Sequence, residues 1–141
     1  MAAKSTSEWE GDVPIGASTS SGEGAITGSS TFKFRFEGEL GPNPEQLIAA
    51  AHATCFSTAL SNLLTQAGRE SHSVQTQATV TLGPVGGAPT ITKIALVTVG
   101  QVPGLDELAF VDHVLAARAR CRVSRALGGV PEITLEAFLV P

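Results

Sequence analysis

The sequence predicts an α+β fold with antiparallel strand pairing, and three observations carry that prediction. Three segments alternate apolar and polar residues with period two: TFKFRFEGE from Thr31, VQTQATVTL over 74–82 and ITKIALVTV over 91–99. The stretch from Gln46 to Gly68 holds no Asp, Glu, Lys or Arg and repeats its apolar residues at helical spacing. A second helical pattern, Phe110, Val114, Ala117 and Cys121, precedes a final strand-like run, PEITLEAFLV. Strands, helix, hairpin, helix and strand in that order indicate α+β with antiparallel pairing.

At 141 residues the chain is expected to be one domain, 1–141. Its net charge of −4 gives no basic surplus for a nucleic-acid partner. With 5% aromatic residues and no Tyr, base-stacking platforms are not expected either. The N-terminal MAAKSTSEWEGDV lacks the apolar core of a signal peptide, which predicts a cytoplasmic protein. Gln46–Gly68 is the one candidate membrane span. His52, Thr54, Ser57, Thr58, Ser61, Asn62, Thr65 and Gln66 interrupt it too often for a lipid-facing helix, so a core helix and no membrane partner are expected.

Each element has a local reason. The Gly- and Ser-rich residues 14–30 predict turns and short edge strands. In the next strand Phe32, Phe34 and Phe36 face one way, and Lys33, Arg35 and Glu37 the other. Asn43 as N-cap, Pro44 at the first helical position and Gln46 at the third start the first long helix. Glu45 suits the positive end of its dipole. The helix is expected to run to Ala67 and stop at Gly68. Phe56, Leu60, Leu63, Leu64 and Ala67 form one apolar stripe, and Ile48, Ala51, Cys55 and Ala59 another, which predicts burial on several faces. Val74, Ala78, Val80 and Leu82 form one face of the hairpin's first strand; GPVGGAP turns the chain into the second. Asp106 is the expected N-cap of the second helix, which should end near Gly128 and Gly129.

The two cysteines, Cys55 and Cys121, each lie on the inward stripe of a helix. Buried cysteine commonly serves as a small hydrophobe, and these two are either inert or redox-active. A reactive thiol in mid-helix needs a cation nearby. Arg35 leaves the charged face of a preceding strand, and Glu45 could hold its guanidinium in a fork-shaped pair; the alternative is two ordinary surface charges. His52 and Cys55, three apart, could form half a metal site, but no CxxC, HExxH or third ligand completes it, so no metal is expected. GxxxxGK[ST], GxGxxG and GxSxG are absent as well, and no cofactor is expected.

RFEGELGPNPEQLIAAAHATCFSTAL, followed by ARCRVSRAL, resembles the osmotically inducible protein / organic hydroperoxide resistance (OsmC/Ohr) family, and its OsmC branch more than its Ohr branch. WEGD, ITKIAL and VPGLD match too, so the resemblance spans nearly the whole chain. It implies a thiol-dependent peroxidase of oxidative and osmotic stress defence that reduces organic hydroperoxides, and hydrogen peroxide less well. It also implies an intertwined homodimer in which curved antiparallel β-sheets wrap around central helices, with two sites at the interface. Carried over by position, Cys55 is the peroxidatic nucleophile and Cys121 the resolving thiol that forms a disulfide with it. Arg35 polarises the thiolate and Glu45 orients Arg35. The implied reductant is an external dithiol of the lipoylated-protein kind, and the Phe residues would suit an apolar entrance for an alkyl peroxide. Two rival readings remain on this scaffold: a peroxide sensor or binding protein that does not turn over, and a structural domain with inert thiols. One departure from the family stands out, CRVS in place of CPVS at Cys121. Without that proline the helix is expected to continue unbroken through Cys121, with the Arg122 cation making the Cys121 thiol more acidic.

Overall fold

The computed structural model describes residues 5–10, 17–22, 27–31 and 43–141. The chain divides into two compact units, 1–47 and 48–141. In the first, strands β1 (Ser5–Glu10), β2 (Ala17–Gly22) and β3 (Thr27–Thr31) pair antiparallel in sequence order, from Ser5 opposite Gly22 to Ala17 opposite Thr31. The Gly/Ser-rich segment thus supplies short strands as expected, but β2, paired on both sides, is the central strand of this sheet and not an edge strand, while β1 lies in a stretch whose pattern predicted no element. The Phe-alternating strand, with Arg35, lies outside the described residues.

Helix α1 (Pro44–Gln66) begins and ends on its own signals. Asn43 Oδ1 accepts the Gln46 N–H at 2.8 Å, which satisfies one of the first-turn donors. At the other end Gly68 takes φ +72°. Its N–H bonds the Thr65 carbonyl at 3.0 Å and the Arg69 N–H the Leu64 carbonyl at 2.8 Å, so the last carbonyls are also satisfied. By length and composition α1 could cross a membrane. In the fold, His52, Phe56, Leu60 and Leu64, at intervals of four, form its one fully buried stripe. The expectation of burial on several faces is therefore not met within one chain: Cys55 and Ala59 are half-buried and Ala51 is exposed. A single three-stranded sheet and its helices cover only part of α1's circumference.

That sheet has the order β4 (Ser73–Val85), β5 (Ala88–Gln101), β6 (Glu132–Val140). The hairpin is longer than its alternating pattern predicts, because both strands run into GPVGGAP until only Gly86 and Gly87 remain as the turn. Both have positive φ, 59° and 81°, the conformation that a tight two-residue hairpin turn demands and glycine supplies. Ile94, Leu96, Thr98 and Gly100 of β5 point inward. Hydroxyls tie α1 to this sheet: Ser57 donates to Thr76 at 2.8 Å, and Thr76 and Thr98 share a bond of 3.1 Å.

The sheet is mixed. β6 joins β5 in parallel, Lys93 opposite Glu132 through Gln101 opposite Val140, where antiparallel pairing was expected throughout. Parallel neighbours need a long crossover, and helices α2 (Glu107–Arg120) and α3 (Arg122–Ala126) provide it. Asp106 caps α2 as expected, accepting the Ala109 N–H at 2.8 Å. Phe110, Val114 and Ala117 face the core with Cys121. Phe110 lies so close to β5 that a Cβ added at Gly100 would sit 2.5 Å from its ring.

The helix does not run unbroken through Cys121. The Cys121 N–H still closes α2 onto the Ala117 carbonyl at 2.8 Å, but its backbone then turns extended, φ −63° and ψ 115°. Its carbonyl accepts from Arg125 at 3.0 Å and its Sγ from the Ser124 N–H at 3.5 Å, so Cys121 is the N-cap of α3. A proline is thus not required for the break, because the cysteine itself supplies the capping acceptor.

Candidate active site

The break at Cys121 faces the middle of α1. Cys121 is fully buried, whereas Cys55 is only partly so. Both are free thiols, and the Cys121 thiol lies within hydrogen-bonding reach of Cys55. Ending α2 at Cys121 leaves the amide N–H groups of Arg122 and Val123 without intrahelical acceptors. Both act on Cys55. Burial alone would raise the Cys55 pKa. The Val123 N–H, the Cys121 thiol, the Arg122 N–H and the Arg122 charge, in descending order, outweigh it and hold the thiol below its ordinary range. The mid-helix position of Cys55 gave no such help from its own helix dipole. The amide donors come from the start of another helix, 67 and 68 positions further along the chain.

This order of influences can be checked by alkylation. Iodoacetamide labelling of Cys55, resolved by peptide mass mapping, should set in at lower pH than for a free cysteine. Cys121→Ala should shift its onset upward by more than Arg122→Gln does. Equal shifts, or a larger one for Arg122→Gln, would contradict the dominance of the hydrogen-bond donors over the charge.

His52 lies one turn before Cys55 and is fully buried. Its Nε2 and the Ser124 Oγ share a hydrogen bond of 2.6 Å, so the histidine joins α1 to α3. Among the described residues its Nδ1 has no partner. Burial, and then the positive charge of Arg118, depress its pKa below the 6.5 of a free imidazole. The unfolded chain therefore takes up a proton near pH 6.5 that the native chain still excludes. This contribution to stability is complete above that pH and declines as the pH falls towards the lower native value. Urea midpoints measured from about pH 7 down to about pH 5 should fall, and His52→Gln should flatten the decline.

Of the residues expected at the site, the fold brings Cys55 and Cys121 together. Glu45 stands in the first turn of α1, half-buried, and Arg35 lies outside the described residues. Sequence reasoning missed Ser124 and the amides of Arg122 and Val123. Cysteine is not among the common N-cap residues, so CRVS carried no local sign of the break. Among the described residues no three His, Cys, Asp or Glu side chains converge as a metal ion would require.

Comparison with known proteins gives this thiol pair a setting. Residues 36–136 match the family model described as OsmC-like protein. The chain belongs to the OsmC-like family. Among relatives of this OsmC-like chain, Peroxiredoxin OsmC of Escherichia coli (strain K12) is 45% identical over 135 residues, covering 94% of this chain and 93% of the relative. Organic hydroperoxide resistance protein OhrB of Bacillus subtilis (strain 168) is 33% identical over 101 residues, covering 71% and 72%. The crystal structure of B. subtilis OhrB superposes with a TM-score of 0.69 at 26% identity, covering 99% of this chain and 98% of OhrB. An OsmC-like protein from Mycoplasma pneumoniae, at 15% identity, shares the fold with a TM-score of 0.80 over 100% of this chain and 99% of its own.

Proposed function

We propose that this OsmC-like protein is a cysteine-based peroxidase that reduces organic hydroperoxides, and hydrogen peroxide less well, as part of oxidative and osmotic stress defence. The observation that carries the reading is a partly exposed thiol with a lowered pKa, Cys55, beside a fully buried second thiol, Cys121, on a separate helix. A low thiol pKa raises the thiolate fraction at neutral pH, and partial exposure admits substrate. Similarity to Peroxiredoxin OsmC and to the organic hydroperoxide resistance protein supports the same chemistry.

In this reading Cys55 attacks the peroxide oxygen. The O–O bond breaks, the alcohol leaves, and Cys55 becomes a sulfenic acid. Cys121 then attacks the Cys55 sulfur, a disulfide forms, and hydroxide leaves with the Cys121 proton as water. An external dithiol, of the lipoylated-protein kind, returns both thiols. Arg35, held by Glu45, is assigned to the thiolate in addition to the donors of Arg122 and Val123. Residues 1–141 act as one domain within a homodimer, for which the apolar stripe of Ile48, Ala51, Cys55 and Ala59, left incompletely covered in one chain, is the support. Sedimentation at the 14.4 kDa of a single chain would overturn the dimer.

The activity is tested by following cumene hydroperoxide in the presence of dihydrolipoamide. Many turnovers per protein are expected. Consumption that stops at one equivalent would instead indicate a sensor, and no consumption would indicate inert thiols.

A further inference from the structure

The cysteine pair has a polar twin. Cys55 and His52 stand three apart on α1, and Cys121 and Ser124 stand three apart across the break and α3. Cys55 meets Cys121, and His52 meets Ser124, so the two helical segments are joined by two rungs one turn apart. We infer that the His52–Ser124 hydrogen bond is a positioning device that sets Cys121 against Cys55 and so governs the rate at which Cys121 resolves the sulfenic acid. The inference deepens the peroxidase reading and rests on it.

Three observations carry it. Ser124 does two things at once: its Oγ bonds His52 at 2.6 Å, and its N–H bonds the Cys121 Sγ at 3.5 Å. A shift of Ser124 therefore moves the sulfur directly. Second, α3 spans only Arg122–Ala126, too short to hold its place by helix propensity. Among the described residues, Ser124 is the one member of α3 whose side chain hydrogen-bonds to another element. Third, the rung is an expensive way to fill a core. His52 is 0% exposed and Ser124 9%, and Nδ1 is left without a partner. Two apolar side chains in place of the pair would fill such a site without an orphaned polar atom. A buried polar pair that packing does not need, anchored to the reacting thiol, is explained by positioning.

The step it acts on is balanced. The Cys121 sulfur goes from thiol to disulfide oxidation level while the Cys55 sulfur comes down from sulfenic to disulfide level. The S–O bond breaks, the S–S bond forms, and one water leaves. When this step is slow, the sulfenic acid stays exposed to more peroxide and goes on to sulfinic acid. The partition between disulfide and sulfinic acid therefore reads the resolving step separately from the first.

The experiment treats the reduced full-length protein with excess cumene hydroperoxide. Intact mass separates disulfide, lighter by two hydrogens, from sulfinic acid, heavier by two oxygens, and dimedone trapping times the sulfenic acid. Ser124→Ala should slow disulfide formation roughly tenfold, the scale of one lost buried hydrogen bond, and raise the sulfinic fraction. Sulfenic acid formation should slow far less. His52→Leu should do the same. His52→Gln, which keeps a hydrogen-bonding group near the Nε2 position, and Ser124→Thr, which keeps the hydroxyl, should recover most of the lost rate. If Ser124→Ala partitions like the wild type, slows both steps equally, or is matched by Ser124→Thr and His52→Gln, the positioning role falls. A wild type that forms no disulfide at all overturns the peroxidase reading and this role with it.

Discussion

Cys55→Ser should abolish hydroperoxide turnover, lowering it by about a thousandfold or more, because loss of a nucleophile cannot be offset by the groups left around it. A serine hydroxyl stays neutral at any pH the protein survives, so the donors of Arg122, Val123 and Cys121 would have no anion to stabilise. Cys121→Ser should behave differently. It keeps a capping acceptor at the start of α3 and keeps Cys55, so the first equivalent of peroxide is still consumed. The product mass should then gain oxygen instead of losing two hydrogens. Stopped consumption in both variants to the same degree would contradict the division of labour between the thiols.

The second large effect lies in the core. Phe110→Ala should cost about 3–5 kcal/mol, the usual range for deleting a fully buried phenyl ring. That is a large share of the roughly 5–15 kcal/mol that holds a small domain together. The ring lies against Gly100, where an added Cβ would be 2.5 Å from Phe110 Cε2 and 2.6 Å from Cζ. With Phe110 only 1% exposed, the ring has little room to retreat. Gly100→Ala should therefore cost about 1–3 kcal/mol by overpacking. In a Phe110→Ala background the same methyl enters the vacated space, and its cost should largely vanish. Urea unfolding of the four proteins in the double-mutant cycle should show a coupling of about 1–3 kcal/mol. Simple additivity would mean that the close approach is not what fixes glycine at position 100.

Much of this fold could be read from short-range signals. Asn43, Gln46 and Gly68 bound α1 because capping is decided by atoms within a turn of the helix end. Asp106 bounds α2 for the same reason, and the Gly86–Gly87 turn needs residues that tolerate positive φ. What was not legible depends on partners distant in the chain. The parallel placement of β6 is set by the crossover, not by the alternation within EITLEAFLV. The half-covered stripe at Cys55 looks like any buried stripe in sequence, because apolarity does not say which surface covers it. His52 and Ser124 stand 72 residues apart, and nothing near either announces the other. The two cysteines were legible as candidates, and the roles proposed for them come only from family resemblance. The break that aims amide donors at Cys55 was misread, since the absence of proline removes one cause of a break without removing the others.

Cys55 and Cys121 touch in the fold but are 66 positions apart in the chain, and that separation has a thermodynamic consequence. A bond between them would close a large loop and, on the chain-entropy account, remove about 4 kcal/mol of freedom from the unfolded state. The oxidised protein would then be the harder of the two to unfold. By linkage, folding would favour the disulfide to the same extent, equivalent to roughly 90 mV for a two-electron couple. A fold that makes its own disulfide easy to form also makes it hard to reduce, so regeneration calls for a strongly reducing partner that forms a ring of its own as it is oxidised.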